Sequence, residues 1–251
     1  MNKVEDSVSR APTPEQVESG LTNPYWMVRE KWAKRMDFTP SSEQVHRGLK
    51  DQSDSIRRSW AQRMDWTPTP EQVDRGLKDD KPIVRLAWVK RMDWTPTPEQ
   101  VEKGLNDNDI SVHSAWISRM DWVPAPEHVE SGLNGQSVLV HIAWARRMDW
   151  TPTYDQVEKG LDDPITNIRL AWVNRVDFTP THEQIERGLN DKSDRVRRAW
   201  VNRMDFTSTH EQIERGLNDK SNRVRRAWTE RIKMEHEKLL RTEQDLPSIS
   251  L

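Results

Sequence analysis

A tryptophan recurs every 28 residues, at Trp32, Trp60, Trp88, Trp116, Trp144, Trp172, Trp200 and Trp228. Gly20, Gly48, Gly76, Gly104, Gly132, Gly160, Gly188 and Gly216 keep the same interval, as do Arg35, Arg63, Arg91, Arg119, Arg147, Arg175, Arg203 and Arg231. A fixed period of this size means stacked supersecondary units, each unable to bury its own apolar face. Eight units tile residues 13–236, starting at Thr13, Ser41, Thr69, Thr97, Ala125, Thr153, Thr181 and Thr209. Residues 181–200 and 209–228 differ only at Asp194 against Asn222, the mark of a late duplication.

The third unit sets the local structure. Thr69-Pro70-Glu71-Gln72 opens a helix, with Thr69 as cap, Pro70 in the first turn and Gln72 completing a capping box. Val73, Gly76 and Leu77 then form one inward stripe. A helical glycine costs about 1 kcal/mol relative to alanine. Its return in every unit predicts a backbone approach too close for a Cβ. After a polar turn, a second helix is predicted over about Pro82 to Met92, with Val84, Ala87, Trp88 and Arg91 on one side. Asp93-Trp94-Thr95-Pro96 ends it, since the residue before proline leaves the α region. The expected fold is an all-α α-solenoid, or superhelix, of eight two-helix repeats over 13–236. Residues 1–12 read as an N-terminal tail. Residues 237–251 read as the end of a capping helix, with Leu239 and Leu240 covering the last unit, followed by a disordered tail.

Composition fits a thin fold. Only 33% of the chain is hydrophobic and 32% is charged, yet it carries 13 Trp, which separates it from disordered chains. There is no cysteine, hence no disulfide, thiolate metal site or cysteine nucleophile. Residues 1–10 lack the apolar core of a secretory signal and no stretch reads as a membrane span, so a soluble cytoplasmic protein is expected. The net charge is −2, with a mild polarity: residues 125–180 carry −3 and residues 181–236 carry +3.

The run Val196-Arg197-Arg198-Ala199-Trp200-Val201-Asn202-Arg203-Met204-Asp205-Phe206 resembles the second helix of HEAT-like repeats. Joined to Thr-Pro-Glu-Gln-Val…Gly-Leu-x-Asp, it is more similar to the leucine-rich repeat variant family. The resemblance covers nearly the whole chain and implies architecture, not activity. The period here is longer than that family's usual unit, and Trp stands where small aliphatics are typical. The iron–sulfur module attached to some of its members has no cysteine ligands here. The Thr-Pro opening is also similar to the DNA-reading repeats of TAL effectors, but the matching turn, Asp191-Lys192-Ser193-Asp194, lacks their glycines.

The candidate functional positions each have a second reading. The Arg ladder is a structural ion-pair ladder between units, through Asp37, Asp65, Asp93 and their equivalents or through the turn residues Asp51, Asp79 and Asp107, or else a ligand-contact stripe. Tyr25, Trp26 and Met27 depart from the repeat and are either a cap on the first unit or a partner or dimer hot spot. The residue two after the repeated Trp varies (Lys34, Gln62, Lys90, Ser118, Arg146, Asn174, Asn202, Glu230), and so does the residue two before it (Glu30, Arg58, Leu86, Ser114, Ile142, Leu170, Arg198, Arg226). These two lines share one surface and leave Leu86, Ile142 and Leu170 outside. They are either freely drifting solvent positions or a partner strip. The seven His form no ligand pattern, and no phosphate loop or Ser/His/Asp set exists. Carboxylates repeat as a lattice and none stands apart as a catalytic pair, or as the single Asp of a HEAT-like DNA glycosylase. The leading expectation is a non-enzymatic protein-binding scaffold without cofactor or metal, monomeric or dimeric through its N-terminal repeat. The alternative is nucleic-acid binding through Arg195, Arg198, Arg223 and Arg226.

Overall fold

The computed structural model describes residues 11–244, with side chains to residue 237. Residues 1–10 and 245–251 and the side chains of Leu239 and Leu240, to which a tail and a cap were assigned, lie outside the described residues. No strand occurs among the described residues, and sixteen helices follow one another in pairs. They fall into two compact units, divided between Trp122 and Val123.

The first unit holds α1 (Pro14–Leu21), α2 (Trp26–Ala33), α3 (Ser42–Gly48), α4 (Asp54–Gln62), α5 (Pro70–Leu77), α6 (Pro82–Val89), α7 (Pro98–Leu105) and α8 (Ile110–Ser118). The second holds α9 (Pro126–Asn134), α10 (Val138–Arg146), α11 (Tyr154–Leu161), α12 (Thr166–Val173), α13 (His182–Leu189), α14 (Asp194–Asn202), α15 (His210–Leu217) and α16 (Asn222–Gln244). Within each unit a leading helix pairs with the trailing helix that follows it, and trailing helices pack side by side along the stack.

Leading helices start where the capping motif places them. Thr69 Oγ1 accepts from the Gln72 amide while Gln72 Oε1 accepts from the Thr69 amide. The same exchange closes α1, α3, α7, α11, α13 and α15. In several repeats that glutamine also reaches back: Gln184 Nε2 donates to Glu158, and Gln212 Nε2 to Glu186 at 2.6 Å. Arg187 and Arg215 complete the grip on the same two carboxylates.

The repeated glycine marks a helix-to-indole contact rather than a backbone approach. A Cβ on Gly76 would stand 2.0 Å from Nε1 of Trp88, and one on Gly188 equally close to Nε1 of Trp200. The trailing-helix indole lies flat against the bare leading helix, which is how a pair of eight-residue helices can bury a tryptophan. Every repeated Trp from Trp60 to Trp228 is fully buried; Trp32 in the first repeat is half-buried.

The trailing helix of the third repeat ends at Val89, short of the predicted Met92. The cause is the arginine of the next repeat. Arg119 Nη1 donates to the carbonyls of Val89 and Arg91, each at 2.7 Å, and its Nη2 to that of Trp94 at 3.0 Å. The final carbonyls of a helix have no internal partner. Here they turn out of the helix and converge on a guanidinium carried 25 to 30 residues later. Arg91 does the same for Ala61, Arg63 and Trp66, and Arg175 for Ala145, Arg147 and Trp150. The helix C-terminus is electronegative, so a cation there is favoured twice over.

These arginines correct the sequence expectation in one respect. Their carboxylate lies in their own repeat, two residues on: Arg91 Nε donates to Asp93 Oδ1 at 2.9 Å and Nη2 to Oδ2 at 2.5 Å. The charge is neutralised locally while the remaining donors bind the previous repeat's main chain. The guanidinium also lies between two rings, with Arg91 Cζ 4.4 Å from the Trp66 centroid and 5.6 Å from that of Trp88. Phe38, Phe178 and Phe206 play the Trp66 part for Arg63, Arg203 and Arg231. In α16 the stop signal is missing and the helix continues to Gln244. Glu235 there replaces the usual aspartate, accepting from Arg231 Nε at 2.8 Å.

A second set of ion pairs that crosses between repeats uses a different arginine, three residues before the Trp. Arg29, Arg57 and Arg85 bind Asp51, Asp79 and Asp107 through Nε and Nη2, and Arg169 and Arg197 bind Asp191 and Asp219 likewise. Histidines stand at this position in the two central repeats. His113 is half-buried, and His141 Nε2 lies 2.6 Å from the Gly135 carbonyl.

These contacts predict acid lability. Hydrogen bonds from Arg197 hold the Asp219 carboxyl below its ordinary range, against an opposing push from burial. Gln44 and Arg47 do the same to Glu18. For Glu186, burial pushes upward, but Gln212 and Arg215 together pull it lower. A carboxyl depressed in the folded state binds fewer protons there than in the unfolded chain. Its stabilisation is therefore complete above the unfolded value of about 4 and lost as pH falls through the folded one. Burial also holds His113 below its ordinary value, so its protonation begins to cost stability below about pH 6.5. The urea midpoint should fall steadily between pH 6 and pH 3, and Asp219→Asn with Glu186→Gln should flatten the part below pH 5. A midpoint independent of pH over that range would contradict the assignment.

Candidate binding face

Because the Trp, Gly, Arg and Asp positions are consumed in holding repeats together, the outward side of the trailing helices is where repeats are free to differ. Positions five before, two before and two after the Trp lie on one helical face. Lys34, Gln62, Lys90, Arg146, Asn174 and Asn202 are all exposed there, as are Ser118 and Glu230. So are Arg198 and Arg226 two before the Trp, and Arg195 and Arg223 five before it.

The line five before the Trp also contains Met27, Ser55, Ile83, Ser111, Leu139 and Asn167, most of which sequence reading did not single out. Ile83 and Leu139 are exposed aliphatics. The three-residue and four-residue steps from known variable positions could have found them. Leu86, Ile142 and Leu170 are not free on the surface. Each is half-buried and packs against a core cluster, because its side chain flanks the Trp stripe.

At the N-terminal repeat Tyr25, Trp26 and Met27 remain exposed, Trp26 at 48%. They open α2, and no side chain caps that helix. Arg35, the first of the Arg ladder, is paired only with Asp37 among the described residues and is far more exposed than its equivalents.

A second exposed row was not anticipated. Four residues after the Trp stand Met36, Met64, Met92, Met120, Met148, Val176 and Met204, between 43% and 80% exposed, each immediately after an arginine of the ladder. As the expected last residue of the helix, Met92 would by its phase sit beside the inward stripe. Because the helix stops at Val89, the following backbone turns this side chain outward.

In the second unit one cavity of about 190 Å³ gathers Leu170, Asn174, Asp194, Arg195, Arg198, Ala199, Asn202 and Arg223. It unites residues assigned by sequence to a protein partner with three of the four assigned to nucleic acid. On the leading-helix side, clefts of about 280 to 330 Å³ recur between repeats, floored by the Arg85–Asp107, Arg169–Asp191 and Arg197–Asp219 pairs and a core Trp. They repeat with the lattice, and the arginine–aspartate pairs at their floors are already matched.

Among the described residues no group of three or more His, Cys, Asp or Glu could hold a metal ion, and no helix is long and apolar enough to cross a membrane. Among solved structures, a leucine-rich repeat variant "with a novel repetitive protein structural motif" matches over 86% of this chain and 79% of its own, at a TM-score of 0.56 and 21% identity. The fold resembles that of a leucine-rich repeat variant. No protein-family model matches the sequence, and no curated protein matches it either. At that identity the likeness to the leucine-rich repeat variant concerns architecture alone, and the binding face must be argued from this chain's own side chains.

Proposed function

We propose that the chain is a non-enzymatic binding scaffold that holds a protein partner on the outward face of its trailing helices. The observation that carries this reading is the segregation of constant from variable positions. The Gly, Trp and Arg that join repeats return at every period, whereas the residues five before, two before and two after the Trp change among aliphatic, polar, acidic and basic types from repeat to repeat. Repeat folds put recognition on such extended surfaces. The methionine row supports the same reading, since exposed, flexible and polarisable side chains in six of the eight repeats adapt to an apolar partner. A second reading, nucleic-acid binding, is favoured by the four exposed arginines of the last two repeats.

Capture from native lysate treated with nuclease tests the proposal. The comparison is between the natural chain, a face variant (Trp26→Ser, Ile83→Lys, Leu139→Ser, Arg198→Glu) and a control altered on leading helices (Glu71→Lys, Glu127→Lys). Proteins retained by the natural chain and the control but lost from the face variant are expected, with thermal melts unchanged. Equal capture by all three, or material held only before nuclease, would refute it.

A further inference from the structure

The variable face of the second unit is divided by chemistry. On α10 and α12, Leu139 is exposed and Ile142 and Leu170 reach the surface over the core. On α14 and α16 the same helical positions carry Arg195, Arg198, Arg223 and Arg226, all exposed. The cavity described above lies where the two parts meet, with Leu170 and Ala199 as apolar wall and arginines around it.

The charge of this patch is unmatched. Three other arginines of these repeats face carboxylates, Arg187 with Glu158, Arg197 with Asp219 and Arg215 with Glu186, and Arg225 is held by the Asp219 carbonyl. By contrast Arg198, Arg223 and Arg226 donate to no acceptor among the described residues, and Arg195 reaches only the neutral Asn167 Oδ1 at 3.1 Å. The one carboxylate in the cavity wall, Asp194, accepts from Ser221 Oγ at 2.9 Å and does not offset four guanidiniums.

We propose that this face takes a polypeptide segment in which an apolar stretch is joined to a cluster of carboxylates. The proposal rests on the reading of the variable face as the binding face and specifies its occupant. A carboxylate cluster complements the arginine part, and planar guanidiniums pair with carboxylates in a forked geometry. Aliphatic or aromatic side chains complement Leu139, Ile142 and Leu170, one of them entering the cavity. A phosphate polymer would supply charge along its whole length and nothing for the aliphatic part. Trailing helices about 10 Å apart and an extended chain at about 3.3 Å per residue set the segment at roughly ten residues for the four helices.

The test is selection of displayed random 12-residue peptides on the immobilised full chain. It is run in parallel on Arg198→Glu/Arg226→Glu and on the milder Arg198→Gln/Arg226→Gln, each first verified by its melt. The enriched pool should carry acidic and apolar residues within the same peptide. By fluorescence anisotropy the best peptide should bind at least tenfold more weakly to both arginine variants and severalfold more weakly to Leu139→Ser. A pool without carboxylates, or affinity unchanged in the arginine variants, overturns the proposal. So does a 20-residue oligothymidylate that binds more tightly than the best peptide, which would assign the arginines to a phosphate backbone. If lysate partners depend on the face but no acidic and apolar peptide is selected, this inference alone fails. If such peptides bind but no lysate protein requires the face, the scaffold reading fails and the peptide chemistry stands.

Discussion

Replacing Gly76 by alanine should destabilise the protein by about 1–3 kcal/mol, the range for forcing extra volume into a packed core. The sign is the informative part. At a helix interior free of neighbours the same change gains about 1 kcal/mol from helix propensity. Here the new methyl would stand 2.0 Å from Trp88 Nε1 and 2.2 Å from its Cδ1, so the indole must leave its seat. Trp88 is fully buried, with no space to retreat into except by parting the two helices of its repeat. Urea unfolding followed by circular dichroism checks the value. In a Trp88→Phe background, which lacks the pyrrole edge lying over the glycine, Gly76→Ala should cost clearly less. Equal costs in the two backgrounds would mean that the contact is not what excludes alanine.

Arg91→Leu should cost about 3–5 kcal/mol, the range for breaking a buried charged network. Its removal leaves the carbonyls of Ala61, Arg63 and Trp66 without their donor and Asp93 without its cation. Arg91→Lys should recover little of that loss. A lysine ammonium is a single point of charge, whereas the observed bonding runs in several directions from one plane held between two rings. The larger expected effect is on cooperativity. Stacked repeats depend on nearest-neighbour interfaces. With this one weakened, unfolding should broaden or separate into two steps, while a variant on the exposed face such as Lys90→Ala leaves a single sharp transition. A single transition with unchanged midpoint in Arg91→Leu would overturn the role given to the ladder.

The repeat, its two helices and the inward tryptophan were legible because each leaves a side-chain signature at a fixed interval. What the arginine does was not. Its acceptors between repeats are main-chain carbonyls, which every residue possesses and no sequence pattern marks. The aspartate two residues on was visible and suggested a bridge between repeats, yet it closes a pair within one. A pair that does cross, Arg57 with Asp79, was hidden among several aspartates with the same period. The glycine was read correctly as a site of close approach, but periodicity does not say whether backbone or ring approaches. For the face, helical phase placed Lys90 and Asn202 outside but did not show how far Leu86 and Leu170 lean over the core. Nor did it turn Met92 outward, which depends on where the helix stops.

Recognition of carbonyls rather than side chains has a consequence for how such a chain can change over generations. The grip that one repeat exerts on the one before it is indifferent to which residues decorate the earlier helix's outer surface. A segment can be copied whole, as the near identity of 181–200 and 209–228 indicates, and its copy drift afterwards without unsettling the join. Cohesion and surface chemistry are therefore inherited on separate sets of positions. The second can be rewritten, one substitution at a time, on a framework that does not register the edit.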